Sequence, residues 1–276
     1  MCSTCGCDQP GGVTITKVGD DFQVFKPIEH SSILQAHQHH HHDYSTSSSK
    51  TIVEVEQDIL SKNNLQARHN RSHFAEQGIF SINLVSSPGS GKTTVLERTL
   101  MDLNDRSTFF VIEGDQQTLQ DANRIAATGA SVVQINTGKG CHLDADMVHR
   151  ALHKLEPTDQ SVVFIENVGN LVCPALFDLG ESARVVIISV TEGDDKPLKY
   201  PDMFQSADVC IINKIDLLPY VNFSIAKVIE YAKRANPKMI FIELSATTGK
   251  GMEQWYKWIQ SSRSKVESLA INSQKV

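Results

Sequence analysis

A chain of 276 residues with 40% hydrophobic composition can bury a sizeable core, and a net charge of −6 argues against nucleic acid as a partner. Its apolar runs stop well short of the roughly 20 residues that a membrane span needs, so no membrane association is expected. The start, Met1-Cys2-Ser3-Thr4-Cys5, lacks the charged-then-apolar pattern of a signal peptide, and six cysteines read better as metal or redox ligands than as a disulfide framework. The expected compartment is the cytoplasm.

Residues 1–50 hold few apolar side chains and are expected to form a Cys/His-rich metal-binding tail, largely disordered. Cys2, Cys5 and Cys7 follow the spacing C-x-x-C-x-C, and three thiolates so close together suit one soft or borderline ion. A free α-amino group is a candidate fourth ligand, and redox chemistry is the alternative reading. His37, His39, His40, His41 and His42 follow, and their imidazoles suit weak buffering of nickel, zinc or copper. An expression tag is the bland reading, but the run is internal and interrupted by Gln38.

Over 51–78, Ile52, Val55, Ile59 and Leu60 recur at helical spacing and predict a leading amphipathic helix. From 79 to 276 strands and helices alternate. Strands are expected at 79–85, 108–112, 131–135, 162–166, 185–190, 208–212 and 239–244, and helices at 92–103, 118–127, 143–155, 222–235 and 252–262. Short β-rich runs without polar alternation are what strands buried on both faces look like. The fold class is therefore α/β, an open and mostly parallel sheet flanked by helices, with ligands at the strands' C-terminal edge.

The run Ser86-Ser87-Pro88-Gly89-Ser90-Gly91-Lys92-Thr93-Thr94 joins the first expected strand to a helix. Such a P-loop turns successive backbone N–H groups toward a phosphate, with Lys92 reaching the terminal phosphates and Thr93 offering a hydroxyl to Mg²⁺. The usual first glycine is replaced by Ser86, so Gly89, Ser90, Gly91, Lys92, Thr93 and Thr94 carry the nucleotide-binding expectation. Asp115 and Glu166 end later strands and are the candidate magnesium and catalytic carboxylates beside Lys92. An ordinary turn is the alternative at each.

Cys141 and His142 follow one strand, and Cys173 lies a short loop beyond Glu166. Both loops open on the nucleotide edge, so the three are placed to share one ion. Cys210 sits inside an apolar strand and reads as a small hydrophobe, whereas His149 and His153, four apart on a helix, have a spacing that can chelate an ion but read first as a solvated face. Asn213-Lys214-Ile215-Asp216 then follows a strand. The Asp216 carboxylate can accept from guanine N1–H and its exocyclic amine, which adenine cannot supply, while Asn213 and Lys214 buttress the pocket. Ser245 and Ala246 are placed to offer a backbone N–H to the guanine oxygen. Their order after the P-loop points to GTP.

Taken together, Cys-Ser-Thr-Cys-Gly-Cys, the His-rich run, the P-loop, Glu-Gly-Asp, Gly-Lys-Gly-Cys-His-Leu-Asp-Ala, Glu-Asn-Val-Gly-Asn-Leu-Val-Cys-Pro and Asn-Lys-Ile-Asp resemble the HypB family across essentially the whole chain. The resemblance implies a GTPase of the signal-recognition-like (SIMIBI) class that helps insert nickel into [NiFe]-hydrogenase. It further implies a GTP-dependent homodimer, slow hydrolysis, and Ni²⁺ or Zn²⁺ at Cys141, His142 and Cys173. The implied partners are a HypA-type zinc-containing nickel chaperone and the hydrogenase large subunit. Some members carry a histidine four residues beyond the one matching His142, where this chain has Asp146. A urease-accessory GTPase, a metal-storage protein and a small-molecule kinase are the competing readings.

Overall fold

A computed structural model describes residues 13–18, 52–103, 108–116 and 119–273. Cys2, Cys5, Cys7, His37 and His39 to His42 lie outside the described residues, and so do the metal-binding expectations that rest on them.

The strands are β1 (Thr14–Lys17), β2 (Phe80–Ser86), β3 (Phe109–Asp115), β4 (Ser131–Asn136), β5 (Val162–Glu166), β6 (Ala183–Ser189), β7 (Val209–Asn213) and β8 (Ile240–Glu243). They form one eight-stranded sheet in the order β1-β4-β3-β5-β2-β6-β7-β8. Every pairing is parallel except β1 with β4. The chain runs outward from β2 through β3 to β4, returns to place β5 beside β2, and then builds the other half. The order thus reverses around β2, and the crevice beyond such strands' C-terminal ends is where α/β sheets bind ligands.

The long connections carry α1 (Ile52–Glu76), α2 (Lys92–Leu103), α3 (Gln120–Ala126) and α4 (Ala145–Leu155), then the short α5 (Cys173–Leu176), α6 (Lys196–Lys199) and α7 (Pro201–Ser206). A 3₁₀ turn over Ile215–Tyr220 precedes α8 (Ile225–Ala235) and α9 (Met252–Ser273). Successive strand side chains alternate between two covered faces. Ile82 and Leu84 of β2 pack with Val95 and Leu96 of α2 and Trp255 of α9, while Val85 joins Met203, Phe204 and Val228 of α7 and α8. A third cluster joins Phe74 of α1 to Ile112, Val163 and Leu152. Burial on both faces is why these strands read as continuous apolar runs.

The expected strands and helices appear within a few residues of their anticipated ends, with two differences. Thr14–Lys17, inside the segment read as a tail, is an antiparallel edge strand on β4. Its Thr-Ile-Thr sequence favours an extended chain, but four residues are too few to stand out from a polar context. Helix α9 continues to Ser273, well past 262; its second half rests Val266 against the core and carries the Arg263–Glu267 pair at 2.6 Å.

Helix α1 is fastened to the sheet layers by two buried asparagines. Asn70 Nδ2 donates to the carbonyls of Ala145 (2.8 Å) and Leu179 (3.0 Å). Asn63 accepts from Ala145 N–H at 2.9 Å and donates to Asp178 O at 2.8 Å. Both therefore engage the start of α4.

Candidate functional site

At the C-terminal edge, β2 gives way to Ser87-Pro88-Gly89-Ser90-Gly91 and then α2. Gly89 and Gly91 take φ of +74° and +91°, which side-chain-bearing residues rarely adopt. At Gly91 space is also lacking, since a Cβ there would lie 2.5 Å from Asn213 Nδ2. The loop is thus moulded against the strand end that carries the second nucleotide motif. Asn213 Nδ2 donates to Ser90 O (2.9 Å), and Lys214 Nζ donates to Gly89 O (2.7 Å). Asn213 Oδ1 in turn accepts from Lys214 N (2.7 Å) and Ala246 N (3.2 Å). One asparagine side chain knits together the P-loop, the 213–216 turn and the 245–247 loop.

Asp216 stands half-buried at the start of the 3₁₀ turn. Ser245 N–H donates to Lys250 O at 2.8 Å and Ala246 N–H to Asn213. These two N–H groups shape the loop, a use that the residue pattern alone did not indicate.

The first turn of α2 meets β5. Lys92 Nζ and Thr93 Oγ1 each lie 2.6 Å from Glu166 Oε1. Glu166 is 1% exposed, and its Oε2 has no hydrogen-bond partner. On the neighbouring strand Glu113, in register with Glu166, is also buried with Oε2 unpartnered. Burial, reinforced by the Glu166 charge, pushes the Glu113 carboxyl up to about 9, so at neutral pH it holds its proton. Asp115 ends β3 at the same edge, half-buried. A hydroxyl and carboxylate oxygens form the donor set of a hard cation such as Mg²⁺. The unpartnered Glu166 Oε2 fits that role.

The third group is the thiol–imidazole cluster. Cys141 Sγ and Cys173 Sγ are 2.9 Å apart, and His142 Nδ1 is 3.7 Å from Cys141 Sγ. One ligand atom from each lies within 4.8 Å of the others. Two thiols and an imidazole suit a borderline ion such as Ni²⁺ or Zn²⁺. The His142 ring packs on Phe177 with centroids 4.0 Å apart, and burial lowers its pKa, which favours the neutral, coordinating imidazole. Asp146 points elsewhere, pairing with Arg150 at 3.0 Å on the exposed side of α4.

Backbone and amide contacts join this cluster to the phosphate site. Asn167, next to Glu166, accepts from Leu143 N at 3.1 Å, one residue beyond His142. Asn170 Nδ2 donates to Cys141 O at 3.2 Å. A Cβ on Gly114 would sit 2.8 Å from Leu143 Cδ2, so the glycine between Glu113 and Asp115 is what admits this packing.

A further group touches the P-loop without having been anticipated. Glu192, beyond β6, accepts from Ser87 Oγ and pairs with Lys196 at 2.9 Å. An acidic residue after a strand was the available signal. Cys210 is fully buried in β7, and burial raises its thiol pKa, as befits a packing residue.

A P-loop on the central strand of a mostly parallel sheet, tied to an Asn-Lys-x-Asp turn, defines a P-loop nucleotide-binding protein, with a two-thiol, one-imidazole cluster beside it as a candidate metal site. Residues 80–243 match the CobW/HypB/UreG nucleotide-binding domain family. The chain belongs to the HypB family. It is 56% identical over 288 residues to the hydrogenase maturation factor HypB of Escherichia coli strain K12, covering 95% of this chain and 99% of that one. Against the hydrogenase maturation factor HypB of Rhizobium leguminosarum bv. viciae the identity is 59% over 215 residues, covering 78% and 72%. The crystal structure of HypB from Helicobacter pylori in complex with nickel is 40% identical, superposes with a TM-score of 0.69, and covers 74% of this chain and 96% of that one.

Proposed function

We propose that this chain is a GTP-hydrolysing metallochaperone that delivers nickel during maturation of [NiFe]-hydrogenase. The observation that carries the reading is the direct hydrogen bond between Asn167, adjacent to Glu166, and Leu143, adjacent to His142. It makes one structural unit of the phosphate site and the metal cluster. The names of the relatives supply the hydrogenase assignment, and the nickel complex of one of them supports the metal.

In this reading Asp216 selects guanine, Asn213 and Lys214 brace the loops around it, and Gly89 to Thr94 cradle the phosphates. Lys92 neutralises charge on the transferring phosphoryl group. Thr93, Glu166 and Asp115 hold Mg²⁺, which supplies further charge neutralisation when bound. Phosphate competes with Glu166 for the Lys92 ammonium, so nucleotide binding frees the carboxylate and shifts the strand end that Asn167 links to the cluster. Cys141, His142 and Cys173 carry the nickel ion in transit, or zinc in its place. Thiolate ligands must lose protons, so metal binding weakens in acid.

The same reading has a homodimer working in the cytoplasm with a HypA-type chaperone and the hydrogenase large subunit. It divides the chain into a metal-binding tail (1–50), a leading helix (51–78) and a G domain (79–276). Nucleotide hydrolysis by the purified chain is the test. GTP but not ATP should be turned over, and Lys92→Ala should lower the rate by about a hundredfold or more. Equal turnover of both nucleotides, or an unaffected Lys92→Ala variant, overturns the assignment.

A further inference from the structure

A second group of nitrogen donors lies outside this site. Helix α4 carries His149 and His153 one turn apart, with their Nε2 atoms 3.2 Å from each other and their rings edge to face at 4.6 Å. Two imidazole nitrogens on one ion, with bonds of about 2.0–2.1 Å and angles between square-planar and tetrahedral values, sit about 2.9–3.4 Å apart. The observed separation falls inside that window. The pair opens on a cleft of about 280 Å³ whose opposite wall includes His73 of α1. His149 and His153 lie four and eight residues beyond the first residue of α4, about 6 and 12 Å along its axis. The helix therefore carries them away from Cys141 and His142, which precede its N-terminus.

We propose that His149 and His153 chelate a second divalent transition-metal ion of the nickel, zinc and copper class, with His73 as the third protein ligand from across the cleft. Imidazoles spaced i, i+4 on a helix present two nitrogens to one point without rearranging the backbone. His73 lines the same cleft but lies outside ligand-sharing distance of the pair, so it must move toward them to give the third bond. Burial, and then the charge of His153, lower the pKa of His149, while Asp146 opposes them and His73 and His69 add to the lowering. This site does not depend on the nucleotide-linked cluster.

Zinc titration of the full chain, wild type and variants, tests the proposal through ions retained per chain and the imidazole nitrogen resonances of the wild type. His149→Gln and His153→Gln should each retain one ion fewer than wild type, and Cys141→Ala should lose a different one. The double variant His153→Gln with Cys141→Ala should lose both, and His73→Gln should weaken the second ion without abolishing it. In the wild type the Nε2 resonances of His149 and His153 should shift together as zinc is added. Unchanged ion counts in both single histidine variants, or resonances unmoved by zinc, mean that the pair is only an imidazole–imidazole hydrogen bond and overturn the proposal. That result would leave the Cys141 arm of the experiment, and the function built on it, untouched.

Discussion

Single side chains at the sheet edge bear the sharpest consequences. In the proposed role Asp216 accepts from guanine N1–H and its amine, and Asn in its place presents an amide instead. GTP affinity should fall by about 1–3 kcal/mol, and xanthosine triphosphate, whose base presents the complementary edge, should gain. Competition binding of the two nucleotides measures both, and unchanged GTP affinity would remove Asp216 from the pocket. Glu113 sets a pH dependence. Its carboxyl is raised from the usual 4.5 to about 9, so between these values the folded chain binds a proton that the unfolded chain has lost. Stability from this group is fully present below the unfolded value and is lost as pH rises toward 9, by at most about 1.4 kcal/mol per pH unit. Glu113→Gln, which keeps the neutral shape, should be more stable than wild type at pH 8 and by a smaller margin at pH 5. Equal margins in denaturant titrations would show that Glu113 is ionised in the fold.

Among elements, what was legible in the sequence follows from how local the determinant is. The P-loop, the strands and the helix ends are written in consecutive residues, so β2, α2, β5 and α4 were anticipated nearly at their observed bounds. The pairing of Lys92 with Glu166 spans 74 positions and depends on β5 crossing back beside β2, which no local pattern announces. Glu113 was hidden because a strand buried on both faces gives no alternation to mark an inward carboxyl. His149 and His153 were visible by spacing, but only the packing of α1 against α4 supplies the cleft that unites them with His73. The asparagines of α1 were similarly hidden, because they lie outside the run of Ile52, Val55, Ile59 and Leu60 that marked the helix as amphipathic. Replacing Asn70 with Ala removes the buried side-chain donor that ties the carbonyls of Ala145 and Leu179 to α1. The expected cost is about 1–3 kcal/mol, read from the midpoint of urea unfolding. A shift below about 0.5 kcal/mol would mean that α1 is not anchored there.

For the whole molecule the claim is that nucleotide and metal report to each other through the segment from Glu166 to Cys173. Coupling of this kind is reciprocal, because linkage requires each ligand to change the other's affinity by the same factor. The path is short: Glu166 holds Lys92 and Thr93, Asn167 holds Leu143, and Asn170 holds Cys141 O. The most direct measurement is the affinity of the full chain for a non-hydrolysable GTP analogue and for GDP, each with and without saturating Ni²⁺, in wild type and in Cys141→Ala. Nickel should alter the ratio of the two affinities in wild type and leave it unchanged in the variant. A ratio indifferent to nickel in wild type, or altered equally in Cys141→Ala, would contradict it.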